Sequence, residues 1–138
     1  MTKKIRERLD GAEDGFTLSE LLVVVIIIGI LAAIAIPTFL NQRQNGWTAA
    51  AESDARNAAL EVEANATANN GAYPADAAAF AALPVQTSPD VTLTYTVNGT
   101  RQGFCIAADH AQLAPAQDAI YDSTAGGLQT DGAAACTA

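Results

Sequence analysis

A chain of 138 residues has the length of one small domain. Its 50% apolar content overstates the core on offer, because much of it is one uninterrupted run and most of the rest is alanine; aromatic residues are limited to one Trp, three Tyr and four Phe. After Gly15, eleven acids face only Arg43, Arg56 and Arg101, so this portion would repel a phosphate backbone, and nucleic acid is disfavoured as its ligand.

Residues 1–15 carry Lys3, Lys4, Arg6 and Arg8 ahead of Asp10, Glu13 and Asp14. The orientation rule counts cations and largely ignores acids, so this end is expected to stay in the cytoplasm. The sixteen residues Leu21 to Ile36 (LLVVVIIIGILAAIAI) then contain no charged or hydrogen-bonding side chain. From Phe16 to Leu40, 25 residues make roughly 37 Å of helix, enough to cross a hydrocarbon core of about 30 Å. One membrane span is therefore expected over 16–40. Glu20 stands at its cytoplasmic edge; an ionisable group within an apolar membrane segment is costly near the bilayer centre and less so toward the edge, and it normally marks a specific partner.

The stretch Gly15-Phe16-Thr17-Leu18-Ser19-Glu20-Leu21-Leu22, with Gly29 and Pro37 further along, resembles the processing and assembly signature of type IV prepilins. The resemblance covers Gly15 to about Leu40. It implies a leader, residues 1–15, removed by a membrane peptidase that cuts between Gly15 and Phe16, and an N-methylated Phe16 as the new terminus. It also implies that Glu20 meets the amino terminus of Phe16 on a neighbouring subunit during assembly. Two plainer readings compete: a secretory signal cut after Ala35, from the small-residue triplet Ala33-Ile34-Ala35, and a simple membrane anchor. Neither accounts for Glu20 or for the Gly-Phe junction before it. Pro37 lacks an amide hydrogen and is expected to bend or loosen the helix near Ala33, with Gly29 a second weak point. Membrane helices tolerate both residues without special purpose; the family implies a segment that melts or straightens as the subunit enters a filament.

Residues 41–138 form the expected extracytoplasmic head. Trp47, Ala51, Asp54 or Ala55, Ala58 and Val62 recur at helical spacing, so an amphipathic helix over 41–70 continues the span. Glu52 and Arg56 stand at the favourable i, i+4 spacing. Asn69-Asn70-Gly71 followed by Tyr73-Pro74 ends the helix, with Gly71 the left-handed terminator. A short helix is predicted over Ala75–Leu83 and a loop over Pro84–Asp90. Val91–Val97 (VTLTYTV) reads as a strand, Asn98-Gly99 as a type I′ turn, and Gln102–Ala108 as the returning strand. A third strand near Ala119–Asp122 precedes a glycine-rich tail, Ser123–Gly132. The predicted class is α+β: one long N-terminal helix, half membrane-spanning and half amphipathic, packed against a small antiparallel sheet. Pilin heads are similar.

Cys105 and Cys136 lie in the part expected to be exported, where oxidation is permitted, and are expected to pair. Metal binding is the rival reading, and two thiols with a single histidine, His110, make a poor zinc set. Signs of catalysis are few. Adjacent strand residues Asp109 and His110 point to opposite faces, no nucleophile accompanies them, and phosphate loops, Cys-x-x-Cys pairs and a Gly-x-Ser-x-Gly elbow are absent from the sequence. Asp118, Asp122 and Asp131 invite comparison with calcium-binding pseudopilins, but their spacing does not match the twelve-residue calcium loop. Asn65-Ala-Thr67 and Asn98-Gly-Thr100 fit the glycosylation triplet, a pattern common by chance.

The resulting expectation is a structural subunit without enzymatic activity or cofactor. It would be held in the cytoplasmic membrane with its N-terminus inside, then assembled into an extracellular helical filament. The implied partners are copies of itself, other or minor pilins, a prepilin peptidase, an assembly ATPase and its platform protein. The alternatives are a pseudopilin of a type II secretion or DNA-uptake machine, and an anchored or secreted binding or hydrolytic domain.

Overall fold

The computed structural model describes residues 15–114, 119–129 and 136. The expected leader, apart from Gly15, lies outside the described residues, as do Asp118 and Asp131. The chain divides between Leu40 and Asn41 into two units.

Helix α1 covers Leu18–Ala68 and runs through Pro37 without interruption. Within the first unit every residue from Phe16 to Leu40 is exposed except Ala32, which is half-buried. At Pro37 the ladder lacks one amide donor, and nearby the Thr38 hydroxyl donates to the Ile34 carbonyl at 3.1 Å. A Cβ added at Gly29 would meet nothing, so packing within the chain does not require a glycine there.

The second unit is a head of α1 from Asn41 onward, a short helix α2 (Ala77–Ala81), and strands β1 (Val91–Val97), β2 (Phe104–His110), β3 (Ala119–Asp122) and β4 (Gly127–Gln129). The four strands form an antiparallel meander in the order β1-β2-β3-β4. The head therefore has one more strand than the sequence suggests. Gly126 and Gly127, at φ +93° and +110°, turn the glycine-rich tail back so that Leu128 pairs with Tyr121.

α1 contributes mostly small residues to the core. Ala51, Ala55, Ala58, Ala59, Val62 and Ala66 are buried, and the bulk comes from elsewhere: Phe80 of α2, Tyr95 of β1 and Phe104 and Ile106 of β2. Phe104 sits at the centre, with Tyr73 edge-on at 4.8 Å and Tyr121 stacked at 5.8 Å between ring centroids, while Phe80 stacks on Tyr95 at 4.8 Å. In β1 the threonines face solvent while Val91 and Tyr95 are buried, the alternation its sequence predicts. Burial pushes the Tyr95 hydroxyl up to about 12, and it donates to the Pro74 carbonyl at 3.0 Å.

The helix ends as a Schellman cap. Asn70 at φ +55° and Gly71 at φ +84° are both left-handed, and the Gly71 amide donates to the Ala66 carbonyl at 2.8 Å. α2 is shorter than predicted because Asp76 is its N-cap, accepting from the Ala79 amide at 2.8 Å. The β1–β2 connection corrects the type I′ turn. Val97 pairs with Phe104, the Asn98 amide donates to the Gly103 carbonyl at 3.0 Å, and the left-handed residue is Arg101 at φ +55° rather than Gly99. The longer loop moves β2 two residues later than expected. The Arg101 guanidinium closes the loop onto the segment after α1, donating to the Tyr73 carbonyl from Nε at 2.8 Å and from Nη2 at 2.6 Å.

Candidate assembly and processing site

Gly15, Phe16 and Thr17 precede the helix, and Phe16 is 88% exposed. Thr17 is the N-cap. Its hydroxyl accepts from the Glu20 amide at 3.2 Å, and the Glu20 carboxylate reaches back to the Thr17 amide at 2.9 Å and hydroxyl at 2.7 Å. This reciprocal arrangement is a capping box, Thr-x-x-Glu, and it satisfies two amides that have no helical carbonyl. Thr17-Leu18-Ser19-Glu20 carries that signature in the sequence, directly ahead of the apolar run. Both bonds to Thr17 fall on Oε2, so Oε1 has no partner among the described residues. The carboxylate is thus oriented by its own helix and keeps an oxygen open to a further donor, against an apolar stripe beginning at Leu21.

Cys105 and Cys136 are joined, their Cα atoms 5.5 Å apart and 31 residues apart in sequence. Cys105 lies on the face of β2 opposite Phe104 and Ile106, yet it is fully buried.

His110, Asp54 and Asp122 of the head are engaged in its structure. His110 is buried, stacks on Trp47 at 5.5 Å between centroids, and accepts from the Gln112 amide through Nδ1 at 3.2 Å; Arg43 lies 4.9 Å over the same indole. Asp109 does not converge on it. Asp54, also buried, accepts from the amide and hydroxyl of Ser88 and holds the loop before β1 on α1. Burial pushes the Asp122 carboxyl up, but the hydroxyl and amide of Thr124 and the amide of Ala125 outweigh it and hold it below the usual range. One Asp122 oxygen is thus occupied in shaping the β3–β4 turn, and no cluster of three metal-ligating side chains occurs among the described residues. Glu52 and Arg56 pair at 3.4 Å. A shallow cavity of about 250 Å³ is lined by Asn57, Leu60, Glu61, Pro84 and Gln86, which include no nucleophile with a base.

An apolar N-terminal helix bearing one oriented carboxylate, with a small disulfide-linked α+β head, fits a subunit of the prepilin class. Residues 12–36 match the prokaryotic N-terminal methylation motif. The type IV wide pilus major component PilA4 of Thermus thermophilus is 31% identical over 97 residues, covering 70% of this chain and 73% of that protein. The chain belongs to the type IV pilin family. The solved structure of a type IV pilin protein from Thermus thermophilus is similar at 26% identity and a TM-score of 0.49, covering 61% of this chain and 97% of that one.

Proposed function

We propose that this pilin is held in the cytoplasmic membrane by residues 16–40 with residues 1–15 inside, is cut between Gly15 and Phe16 by a prepilin peptidase and methylated on Phe16, and is then built into an extracellular helical filament. The observation that carries this reading is Glu20. Its carboxylate is fixed by Thr17 at one oxygen and open at the other among the described residues, at the head of an apolar helix segment whose residues stand exposed within their own unit. The α-ammonium of Phe16 on a neighbouring copy is a donor of the right charge, and apolar helices of other copies replace lipid around Leu21–Ile36. Head-to-tail contacts that do not close into a ring make such a filament. Other pilins, an assembly ATPase and its platform protein are the implied partners. The relative's name, a pilus component, favours a pilus over a secretion or DNA-uptake pseudopilus.

Two measurements test this. N-terminal mass spectrometry of protein from producing cells is expected to begin at methylated Phe16; a terminus at Ile36 would establish a secretory signal instead. Glu20→Ala is expected to enter membranes and be cut normally, yet to be lost from sheared surface fractions, because removing one partner of a water-poor charge pair strands the other. Filaments built wholly of Glu20→Ala would sink the charge pair.

A further inference from the structure

The sequence contains three Asn-Gly pairs, Asn45-Gly46, Asn70-Gly71 and Asn98-Gly99. In each, the glycine amide nitrogen can in principle attack the preceding side-chain amide, because no Cβ on the glycine obstructs the approach. The three environments differ. Gly46 lies inside α1, where its amide is committed to the helical ladder. The Gly71 amide is committed to the Ala66 carbonyl at 2.8 Å in the helix cap. The Gly99 amide makes no hydrogen bond among the described residues, and Gly99 is exposed to water.

Asn98 also carries a feature the other two lack. Its side-chain oxygen Oδ1 accepts from the Thr100 hydroxyl at 3.0 Å and from the Gln102 amide at 2.9 Å, so two donors already converge on the oxygen of the carbonyl under attack. Donors fixed where negative charge develops favour addition to a carbonyl. The tip is held in place by the Asn98 amide on the Gly103 carbonyl and by the Arg101 amide on the Asn98 carbonyl at 2.9 Å. Such a tip fixes the Asn98 side-chain carbonyl and the backbone that follows it in one local arrangement.

We propose that Asn98-Gly99 is a self-modifying site, at which the folded hairpin tip converts Asn98 to aspartate and isoaspartate. The Gly99 nitrogen bonds to Cγ of Asn98 and gives its proton to water or hydroxide, leaving negative charge on Oδ1 facing Thr100 and Gln102. The intermediate collapses by breaking the Cγ–Nδ2 bond; Nδ2 takes up a proton and leaves as ammonia, closing a succinimide ring. Water then opens the ring at either carbonyl. Opening at Cγ leaves an ordinary aspartate, and opening at the backbone carbonyl leaves isoaspartate, which adds a methylene to the chain between Val97 and Gly99. Either product adds a carboxylate to an already acidic head and marks the age of a subunit.

The full-length protein in detergent, held at mildly alkaline pH in ¹⁸O-water and mapped by peptide mass spectrometry, tests this by label uptake at each asparagine. Asn98 is expected to convert at least about tenfold faster than Asn45 or Asn70 while folded, the contrast collapsing in urea, where all three are plain Asn-Gly pairs. Thr100→Val is expected to slow Asn98 about five- to tenfold, the worth of one hydrogen bond, with Thr100→Ser restoring the rate. Conversion of Asn70 or Asn45 at or above the rate of Asn98 in the folded protein would overturn the proposal, as would a Thr100→Val variant that reacts as fast as the parent or faster.

Discussion

The two units use hydrophobic residues in opposite ways. Up to Leu40 the side chains are large and branched and stand in the open; Ile26, Ile28 and Leu31 keep 53%, 59% and 61% of their surface. From Asn41 the same helix offers mostly alanine to its sheet and buries it, with Ala51, Ala55 and Ala58 at 0%. In the first case apolar surface stays exposed within its unit, as the membrane and filament contacts proposed for it require. In the second, small side chains are covered by the head, and aromatic rings from the strands and α2 supply the bulk of its core. Apolar content alone thus says little about the core; what matters is which surface covers each residue.

The sharpest way to break this contrast is one truncation on each side. Phe104→Ala removes the ring that the other aromatics surround and is expected to destabilise the head by about 3–5 kcal/mol. Ile28→Ala, of comparable chemistry, is expected to leave head stability within about 0.5 kcal/mol of the parent and to act instead on filament yield. Denaturation of full-length protein in detergent, followed by the fluorescence of Trp47, measures the first effect. A head destabilised by Ile28→Ala would show that the two units do not store their apolar surface for different partners.

The disulfide is a second lever, and it acts on the head alone. Cys136→Ser releases a cross-link spanning 31 residues, which on the chain-entropy account removes about 3–4 kcal/mol. Urea midpoints are expected to fall accordingly, and residues beyond Gln129 to become the first site of limited proteolysis. Membrane insertion is expected not to change, since its signal lies before Leu40.

Local patterns in the sequence are legible where one chemistry dominates. β1 has its predicted ends because threonine alternates with buried residues, and α1 stops where Asn70 and Gly71 adopt left-handed backbone. Asn98-Gly99 misleads because the loop it belongs to is held longer by Arg101, whose guanidinium binds the Tyr73 carbonyl, 28 residues away. The link from Asp54 to Ser88 and the stack of Trp47 on His110 are likewise long-range, and helical spacing alone gives no reason for a buried carboxylate on the core stripe. β4 is hidden by its glycines, which weaken a strand pattern yet here make its turn. At Glu20 the capping box was readable, since a threonine three residues before a glutamate at a helix start is a local signature.

The smallest expected effect concerns acid. Asp122 is held below the usual carboxylate range in the fold, its charged form favoured by Thr124 and Ala125 over the cost of burial. A group with a depressed folded value adds stability that is fully present above its unfolded value, about 3.9, and is lost as pH falls through the folded one. The other acids of the chain titrate in the same window, so the useful quantity is a difference. Asp122→Asn keeps an oxygen that can accept from Thr124 and Ala125 but carries no charge, so its own contribution is flat with pH. The stability of the parent minus that of Asp122→Asn is therefore expected to be constant above about pH 5 and to shrink below it. A comparison with Ile28→Ala over the same range extends the contrast between units: that difference is expected to stay within about 0.5 kcal/mol and not to vary with pH, because the substitution removes no titrating group. If the Asp122→Asn difference fails to shrink in acid, the bonds to Thr124 and Ala125 favour the neutral side chain as much as the charged one, and the β3–β4 turn owes its shape to Gly126 and Gly127 instead.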